Sequence, residues 1–333
     1  MKKSLVDVPV RIQIWIRPEM QRKQFEVIKR ARPSQLFLLS DGGRNDRDWE
    51  LININRKLYD TQVDWDCEIY KLYLDENHGM YGSGKLGLEH VFGVVDRAIL
   101  LEDDDIPSDS FVPFCAEMFE RYKDDLRIGG ISGTNPFGTY DAPTDYIFSR
   151  VPFIHGIALW KRFYDSMKID VKDIDKYYKE NIKAISKEDK LGRRFDDVFR
   201  TGKAGNHIPW VEFFLPFNAY AQNQLYITPT KNLVTNIGVG EDATHGTHYK
   251  ELPRVLRKYF IMTESYNLDF PLKHPDMVIR DIQYERQIAK ILGYNPLSKF
   301  AQTTEKFILA VRYGDWDRIK GKLNSVINKE DEK

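Results

Sequence analysis

The chain has 333 residues, 42% of them hydrophobic and 13% aromatic, which is enough to bury one large core or a core with a smaller appended unit. Lysine plus arginine and aspartate plus glutamate number 50 each, so the neutral total provides no global electrostatic field for nucleic acid or for an anionic membrane. With two cysteines, Cys67 and Cys115, the chain cannot form a cage of thiolate ligands around a metal, and a reduced, cytosolic protein is expected.

The apolar segments of the chain are short. Residues 1–20 have a basic start, but their hydrophobic residues alternate with Pro, Arg and Gln, unlike those of a signal peptide. No run of about 18 apolar residues, the length that a membrane-spanning helix needs, occurs in the sequence. We therefore expect a cytoplasmic protein with at most peripheral contact with the inner face of the membrane.

Strand-like and helix-like segments alternate over the first hundred residues. Strands are predicted at 8–16, 35–39, 67–74 and 98–101, with helices at 20–30 and 86–94. This alternation predicts βαβ units and a largely parallel sheet.

Polar or glycine-rich residues follow each of the four predicted strands. They are Arg17-Pro18, Ser40-Asp41-Gly42, Asn77-His78-Gly79 and the acidic cluster, which we define as Glu102, Asp103, Asp104 and Asp105. Because ligands bind outside the carboxyl ends of the strands in such sheets, we expect these four strand ends to converge on one crevice.

The remainder of the chain is less regular. The sequence predicts helices at 111–122, 210–222, 252–259 and 278–292, strands at 128–132 and 225–227, charged helix and loop at 165–200, and a polar tail at 320–333. Arg254, Arg257 and Lys258 form a small basic cluster that a solvated helix face explains. The predicted fold class is α/β, with a single Rossmann-like, mostly parallel sheet flanked by helices at 1–250 and a C-terminal helical extension at 251–333.

The acidic cluster has two interpretations. Four consecutive carboxylates repel one another, so a folded chain tolerates them only when they are solvated or neutralised, and most charge runs are solvated turns or helix caps. Here an apolar strand precedes the cluster at the ligand-binding edge of a sheet, which favours neutralisation by a divalent cation. Oxygen ligands suit Mg²⁺ or Mn²⁺, and both ions bridge to diphosphate oxygens.

Residues 99–111, with the sequence ILLEDDDIPSDSF, resemble the metal-binding segment of GT-A glycosyltransferases. The similarity is greatest to bacterial sugar transferases related to the N-acetylglucosaminyltransferase I type, whose Glu-Asp-Asp motif is a variant of DxD. Further segments resemble that family in the same order along the chain, over residues 8–275. They are 10–18, 39–44, 148–160, where the family usually has WGWATW, and 232–245.

The resemblance implies a GT-A fold and a metal-dependent enzyme. Such an enzyme would transfer a sugar from a UDP-sugar donor to a hydroxyl of a glycan or glycoconjugate, with inversion, using Mn²⁺ or Mg²⁺. Asp104 would bind the metal directly, while Asp103 and Glu102 would contact the ribose and sugar hydroxyls or the metal through water. Asp105 lies one residue beyond the family pattern, so an alternative register with Asp103 and Asp105 as ligands stays open.

The resemblance also implies roles for residues at the other strand ends. Asp41 would accept a hydrogen bond from the uracil N3–H, and Arg17 would stack on the base or hydrogen-bond to it. An Asp before Gly also commonly caps a turn, which is the alternative for Asp41. Asn77 to Lys85 is predicted as a glycine-rich loop that suits an anionic ligand, with Lys85 near the diphosphate; a simple flexible turn is the alternative.

Two further residues are assigned with open alternatives. Glu212 lies alone in an apolar, aromatic stretch, where burial would raise its pKa and suit a catalytic base; a buried Glu paired with an Arg is equally compatible. His245 ends the last matched segment and would close the metal site, although a lone histidine is more often structural. His155 stands where the family usually has Trp, and Leu159 where it has Thr, so sugar specificity is expected to differ.

Two other functions compete with glycosyl transfer. A sugar nucleotidyltransferase normally has a glycine-rich loop directly after the first strand, and residues 16–19 contain no glycine. A non-catalytic domain that binds nucleotide sugar or glycan is disfavoured by the intact acidic cluster but favoured by the altered 148–160 segment. No nucleic-acid partner is expected. The sugar, the acceptor and the oligomeric state depend on pocket shape and loop contacts, which no spacing rule encodes.

Overall fold

The computed structural model describes residues 1–168, 210–236, 252–260 and 264–314, together with the single residues 176, 184 and 191. The chain divides into two compact units. Unit 1 consists of Met1–Ile237 and Met262–Glu285, and unit 2 of Gly238–Ile261 and Arg286–Lys333. The predicted division into 1–250 and 251–333 stays a prediction.

The described strands form one large and one small sheet. They are β1 (Val6–Ile14), β2 (Pro33–Ser40), β3 (Glu68–Tyr73), β4 (Arg97–Leu101), β5 (Asp105–Pro107), β6 (Ile128–Ser132), β7 (Tyr146–Ser149), β8 (Ile157–Trp160), β9 (Leu225–Pro229) and β10 (Val234–Asn236). The large sheet has the order β3-β2-β1-β4-β8-β6-β9-β7, with β7 and β8 antiparallel to their neighbours and the other strands parallel. Strands β5 and β10 form an antiparallel pair.

Helices flank the large sheet on both faces. The described helices are α1 (Pro18–Ala31), α2 (Asp46–Gln62), α3 (Gly79–Phe92), α4 (Phe111–Arg121), α5 (Lys161–Ser166), α6 (Trp210–Ala221), α7 (Arg254–Phe260), α8 (Ile282–Ile291) and α9 (Pro296–Tyr313). The predicted α/β class, a mostly parallel sheet flanked by helices as the GT-A resemblance implied, is therefore confirmed. None of the helices in the described ranges combines the length and the apolarity that crossing a bilayer requires.

Successive side chains of the central strands point to opposite faces of the sheet, and each face has its own hydrophobic core. Val10 and Ile12 of β1 are fully buried in one core, which also contains the apolar residues of α1 and α4. Phe37 of β2 and Leu100 of β4 belong to a second core with apolar residues of α3, α5 and α6. Each fully buried side chain of this kind contributes about 1.5–3 kcal/mol. The central strands are apolar because helices cover both faces of the sheet.

Helix α3 corrects one sequence prediction. A glycine-rich loop was expected up to Lys85, but the helix begins at Gly79, so Gly82, Gly84 and Lys85 are helical. Gly79 has a φ of +70°, which glycine adopts without steric cost, and the chain turns there into the helix. A Cβ atom at Gly87 would overlap the end of the Leu39 side chain of β2, which would have to shift. Gly79 thus serves the turn into α3, and Gly87 its close packing on the sheet.

The C-terminal helices were only partly predicted. Helices α7 and α8 correspond to the expected segments 252–259 and 278–292, whereas α9 was not expected. Its sequence does carry the signals of a helix: the Asn295 side chain accepts a hydrogen bond from the Leu297 N–H, Pro296 occupies the first turn, and Gly314 ends the helix at a φ of +70°.

Candidate functional site

The acidic cluster is the turn that joins β4 to β5. The backbone N–H of Asp105 donates to the carbonyl of Glu102 (3.2 Å). The buried amide of Gln24, from α1, donates to the carbonyls of Glu102 (2.7 Å) and Asp105 (2.6 Å). Helix α1 thus holds the turn in place through a single side chain. The predicted position of the acidic cluster, directly after a buried strand, is correct.

Asp105 organises the surroundings of the turn. Its carboxylate is fully buried and accepts hydrogen bonds from the backbone N–H groups of Glu102 (3.1 Å) and Gly156 (2.9 Å). Its other oxygen accepts a hydrogen bond from Nδ2 of Asn236 (3.3 Å) and lies 3.4 Å from Nδ1 of His155. Asp105 therefore joins β4 to β8 and β10, a structural role that its place outside the family pattern did not indicate.

Asp103 and Asp104 share one guanidinium group. Nη1 of Arg17, the residue just before α1, lies 3.0 Å from Oδ1 of Asp103 and 3.0 Å from Oδ2 of Asp104. The second oxygen of Asp104 accepts a hydrogen bond from Nδ2 of Asn236 (2.9 Å). The structure places Arg17 on the acidic cluster, while its contact with a nucleotide base stays a prediction.

Burial makes the negative charge of the cluster costly. It raises the pKa of Asp103 to about 7, although the Arg17 charge opposes the shift. Burial, together with the charge of Asp105, raises the pKa of Glu102 to about 8 and also raises that of Asp104. For His155, burial alone would lower the pKa, but its hydrogen bond to Asp105 and the surrounding negative charge raise it to about 9. The site therefore favours bound protons or a bound cation.

A group of potential metal ligands includes residues of the cluster. Glu102, Asp105 and His155 each offer one ligand atom, and these atoms lie within 4.8 Å of one another. Carboxylate oxygens with an imidazole nitrogen suit Mn²⁺ and other divalent ions. Asp104, the ligand that the resemblance implies, contacts this group through Asn236, whose Nδ2 lies near both Asp104 and Asp105. His245, the other predicted ligand, lies outside the described residues.

Asp41 and Asn77 connect the ends of β2 and β3. The buried carboxylate of Asp41 accepts hydrogen bonds from the backbone N–H groups of Gly42 and His78, both 2.9 Å. Nδ2 of Asn77 lies 3.3 Å from Asp41 and donates to the carbonyl of Gly42 (2.8 Å). These contacts are those of a turn-capping aspartate, the structural alternative that the sequence had left open. The predicted contact of Asp41 with uracil is untested.

Lys85 and Glu212 lie on helices rather than on the turn of the acidic cluster. Lys85 is half-exposed on α3 and lies 3.9 Å from Glu89. Glu212 was expected to be buried, but it is partly exposed because it lies in the first turn of α6, where the buried residues begin at Phe213. Burial, and then the charge of Glu212, raise the pKa of Tyr81 on α3, which indicates that Glu212 is close to that tyrosine.

Arg11 was missed by the sequence interpretation. It lies in the middle of β1 with 8% of its surface exposed, and its Nε has no hydrogen-bond partner among the described residues. Burial lowers the pKa of Arg11, while the charges of Glu102 and Asp105 oppose that shift. The signal was present: Arg11 is the one basic residue of β1 and stands between the apolar residues Val10 and Ile12. The buried guanidinium of Arg11 therefore acts electrostatically on Glu102 and Asp105 of the acidic cluster.

These contacts define an α/β protein with a buried, cation-attracting centre at the carboxyl end of β4. Comparison with models of protein families finds no match to the chain, and comparison with curated proteins finds none either. The fold is similar to a solved structure of the mannosyltransferase PcManGT from Pyrobaculum calidifontis in complex with GDP-Man and Mn²⁺. The match has 9% identity, covers 49% of each chain and has a TM-score of 0.35. Similarity at this level assigns neither a family nor a function.

Proposed function

We propose that the chain is a metal-dependent glycosyltransferase that transfers a sugar from a UDP-sugar donor to a hydroxyl of a glycan or glycoconjugate, with inversion. The observation that carries the proposal is the meeting of three separate segments that each resemble the GT-A family. His155 from segment 148–160 and Asn236 from segment 232–245 both contact the acidic cluster. Such convergence is expected of a shared site, whereas a solvated acidic turn would need no such partners.

The proposed metal is Mn²⁺ or Mg²⁺ at the acidic cluster. The chemistry of the residues fits a divalent cation, because carboxylates outnumber the cationic groups at the turn and an imidazole lies beside them. We propose Asp104 and His245 as ligands from the resemblance, and Glu102, Asp105 and His155 as the alternative set. A metal here would offset the negative charge that develops on the departing diphosphate.

Other residues would bind the donor and activate the acceptor. Arg17, Asp41 and Asn77 are proposed to contact the nucleotide, and Lys85 the diphosphate. Glu102 and Asp103 are proposed to contact the sugar and ribose hydroxyls when they do not bind the metal. Glu212 is proposed as the base that removes the proton of the acceptor hydroxyl, and its partial exposure supports access from solvent.

The proposed activity is tested by measuring UDP release from a panel of UDP-sugars with and without Mn²⁺. Asp104→Ala should abolish release, and chelation of the metal should do the same. Asp109→Ala is a matched control, since Asp109 is an exposed carboxylate nearby in the sequence that pairs with Arg30. Release that continues after chelation would contradict the role of the metal, and release that continues in Asp104→Ala would contradict the role of Asp104.

The two ligand sets are distinguished by direct Mn²⁺ binding, measured by electron paramagnetic resonance on the free protein. If Asp104 is the ligand, Asp104→Asn should weaken binding and His155→Gln should leave it nearly unchanged. If the alternative set binds the metal, His155→Gln should have the larger effect. Equal, unaltered binding in both variants would exclude both sets.

A non-catalytic domain that binds nucleotide sugar is the second candidate. The observation that favours it is that Arg17 and Asp41 already bind groups of the protein itself. Under this alternative, UDP would bind in the presence of Mn²⁺, but no donor of the panel would be turned over or hydrolysed. Turnover of any donor would exclude it.

A further inference from the structure

Helix α9 of unit 2 presents an apolar face to solvent. We define its apolar stripe by five exposed side chains: Leu297, Phe300, Phe307, Ile308 and Val311, which are 80%, 73%, 53%, 58% and 47% exposed. Their spacing of three, four and seven residues puts them on one side of the helix over about 21 Å. Ala301 and Thr304 lie between them on the same side, so no charged residue interrupts the stripe.

The stripe is not the inner face of the helix. Leu309 and Ala310, which point away from it, are the buried residues of α9. On that side the Gln302 amide donates to the carbonyl of Ile291 in α8, and Glu305 accepts from the backbone N–H of Arg254 in α7. Helix α9 therefore already has a packed side, and the stripe is a second apolar face. Contiguous exposed apolar patches of this kind mark interaction sites.

Unit 2 is also strongly basic. Its described residues, 252–260 and 286–314, contain eight lysines and arginines but one acidic residue, Glu305. Over the whole unit, 14 basic residues face 9 acidic ones, so unit 2 has a formal charge of +5 and unit 1 balances it in a chain of zero net charge. The basic residues of the described part are Arg254, Arg257, Lys258, Arg286, Lys290, Lys299, Lys306 and Arg312.

The combination of charge and exposed apolar surface selects one partner. A second copy of the chain would bring two units of equal positive charge together, which is unfavourable. A bilayer that contains anionic phospholipids accepts both features at once, because aromatic and aliphatic side chains enter the headgroup region while lysine and arginine attract the lipid phosphates. We propose that α9 lies in the interface of an anionic membrane and attaches the chain to it peripherally.

The test uses the full chain in flotation assays with two kinds of vesicle, phosphatidylcholine alone and phosphatidylcholine mixed with phosphatidylglycerol. The chain should bind the mixed vesicles, and added salt should weaken that binding. The variant Phe300→Ser/Phe307→Ser should bind at least about tenfold more weakly because it removes the two aromatic residues of the stripe. Leu126→Ser is the matched control, since Leu126 is a 72% exposed apolar residue of unit 1, and it should bind as the unaltered chain does.

A second variant keeps the proposal testable if the double serine variant fails to fold. Lys299→Glu/Arg312→Glu leaves the stripe intact and reverses two charges on the same helix, so binding to the mixed vesicles should fall and depend less on salt. Equal binding to both kinds of vesicle, or unaltered binding in both variants, would overturn the proposal. So would sedimentation showing that the stripe mediates dimerisation without vesicle binding. The measurement involves neither donor nor metal, so its outcome is independent of the proposed glycosyl transfer.

Discussion

Strands β2 and β4 lie on either side of β1, and acidic residues directly follow both strands, but the two ends differ in how their charge is satisfied. At the end of β2, the single carboxylate of Asp41 accepts hydrogen bonds from the backbone N–H groups of Gly42 and His78. At the end of β4, four carboxylates share Arg17 and His155, and burial raises the pKa values of three of them. The first end is a structural turn. The second retains an excess of negative charge that suits a cation.

Asp105→Ala should have the largest effect on stability at the β4 end. The substitution leaves the N–H groups of Glu102 and Gly156 buried without an acceptor, and we expect the free energy of unfolding to fall by about 3–5 kcal/mol. Urea denaturation measures the change. Asp109→Ala, at an exposed ion pair, should stay within about 0.5 kcal/mol. A loss no greater than that of this control would mean that Asp105 does not organise the turn.

Asp41→Ala should have the next largest effect, at the β2 end. Gly42 and His78 lose the acceptor of their N–H groups, which should lower the free energy of unfolding by about 2–3 kcal/mol. Asp41→Asn keeps one oxygen acceptor and should recover part of the loss in the same denaturation experiment. If both variants are as stable as the unaltered chain, the end of β2 does not depend on this carboxylate.

Asp104→Asn should have little effect on the free energy of unfolding but a clear effect on the affinity for Mn²⁺. Its side chain is partly accessible and removing its charge also relieves repulsion within the cluster, so the free energy of unfolding should change by less than about 1 kcal/mol. Its affinity for Mn²⁺, measured by titration calorimetry, should nevertheless fall at least about tenfold, which is 1.4 kcal/mol. An unchanged affinity would remove Asp104 from the proposed ligands.

Arg11→Met should have the smallest effect on stability. Unlike Asp104→Asn, it should raise the affinity for Mn²⁺. Methionine is an unbranched apolar side chain, so the substitution removes the buried charge but keeps much of the packing. The free energy of unfolding should therefore change by less than about 1 kcal/mol. Loss of a positive charge that acts on Glu102 and Asp105 should strengthen Mn²⁺ binding by up to about tenfold. Arg30→Met, at an exposed ion pair with Asp109, should leave the affinity unchanged. Weaker binding in Arg11→Met would contradict this electrostatic role.

The sequence predicted much of the fold and part of the site. Apolar runs and their polar ends predicted β1, β2, β3 and β4, because the alternation of apolar residues is a local property of the chain. It also predicted the acidic cluster directly after β4. The sequence did not predict the early start of α3 at Gly79, because Gly79, Gly82 and Gly84 locally favour a loop. Gly87, further along the same helix, lies against Leu39 of the sheet.

The sequence by itself determined the first four strands of the sheet and that a run of carboxylates follows a buried strand. The tertiary structure decided which groups meet those carboxylates. His155 and Asn236 lie 50 and 131 residues from Asp105 along the chain, and the packing of β8 and β10 brings them to it. Likewise, the total charge of zero gave no indication that unit 2 is basic, since that depends on which segments fold together. Local periodicity is set by neighbouring residues, whereas burial, pairing and the distribution of charge arise from contacts between distant segments.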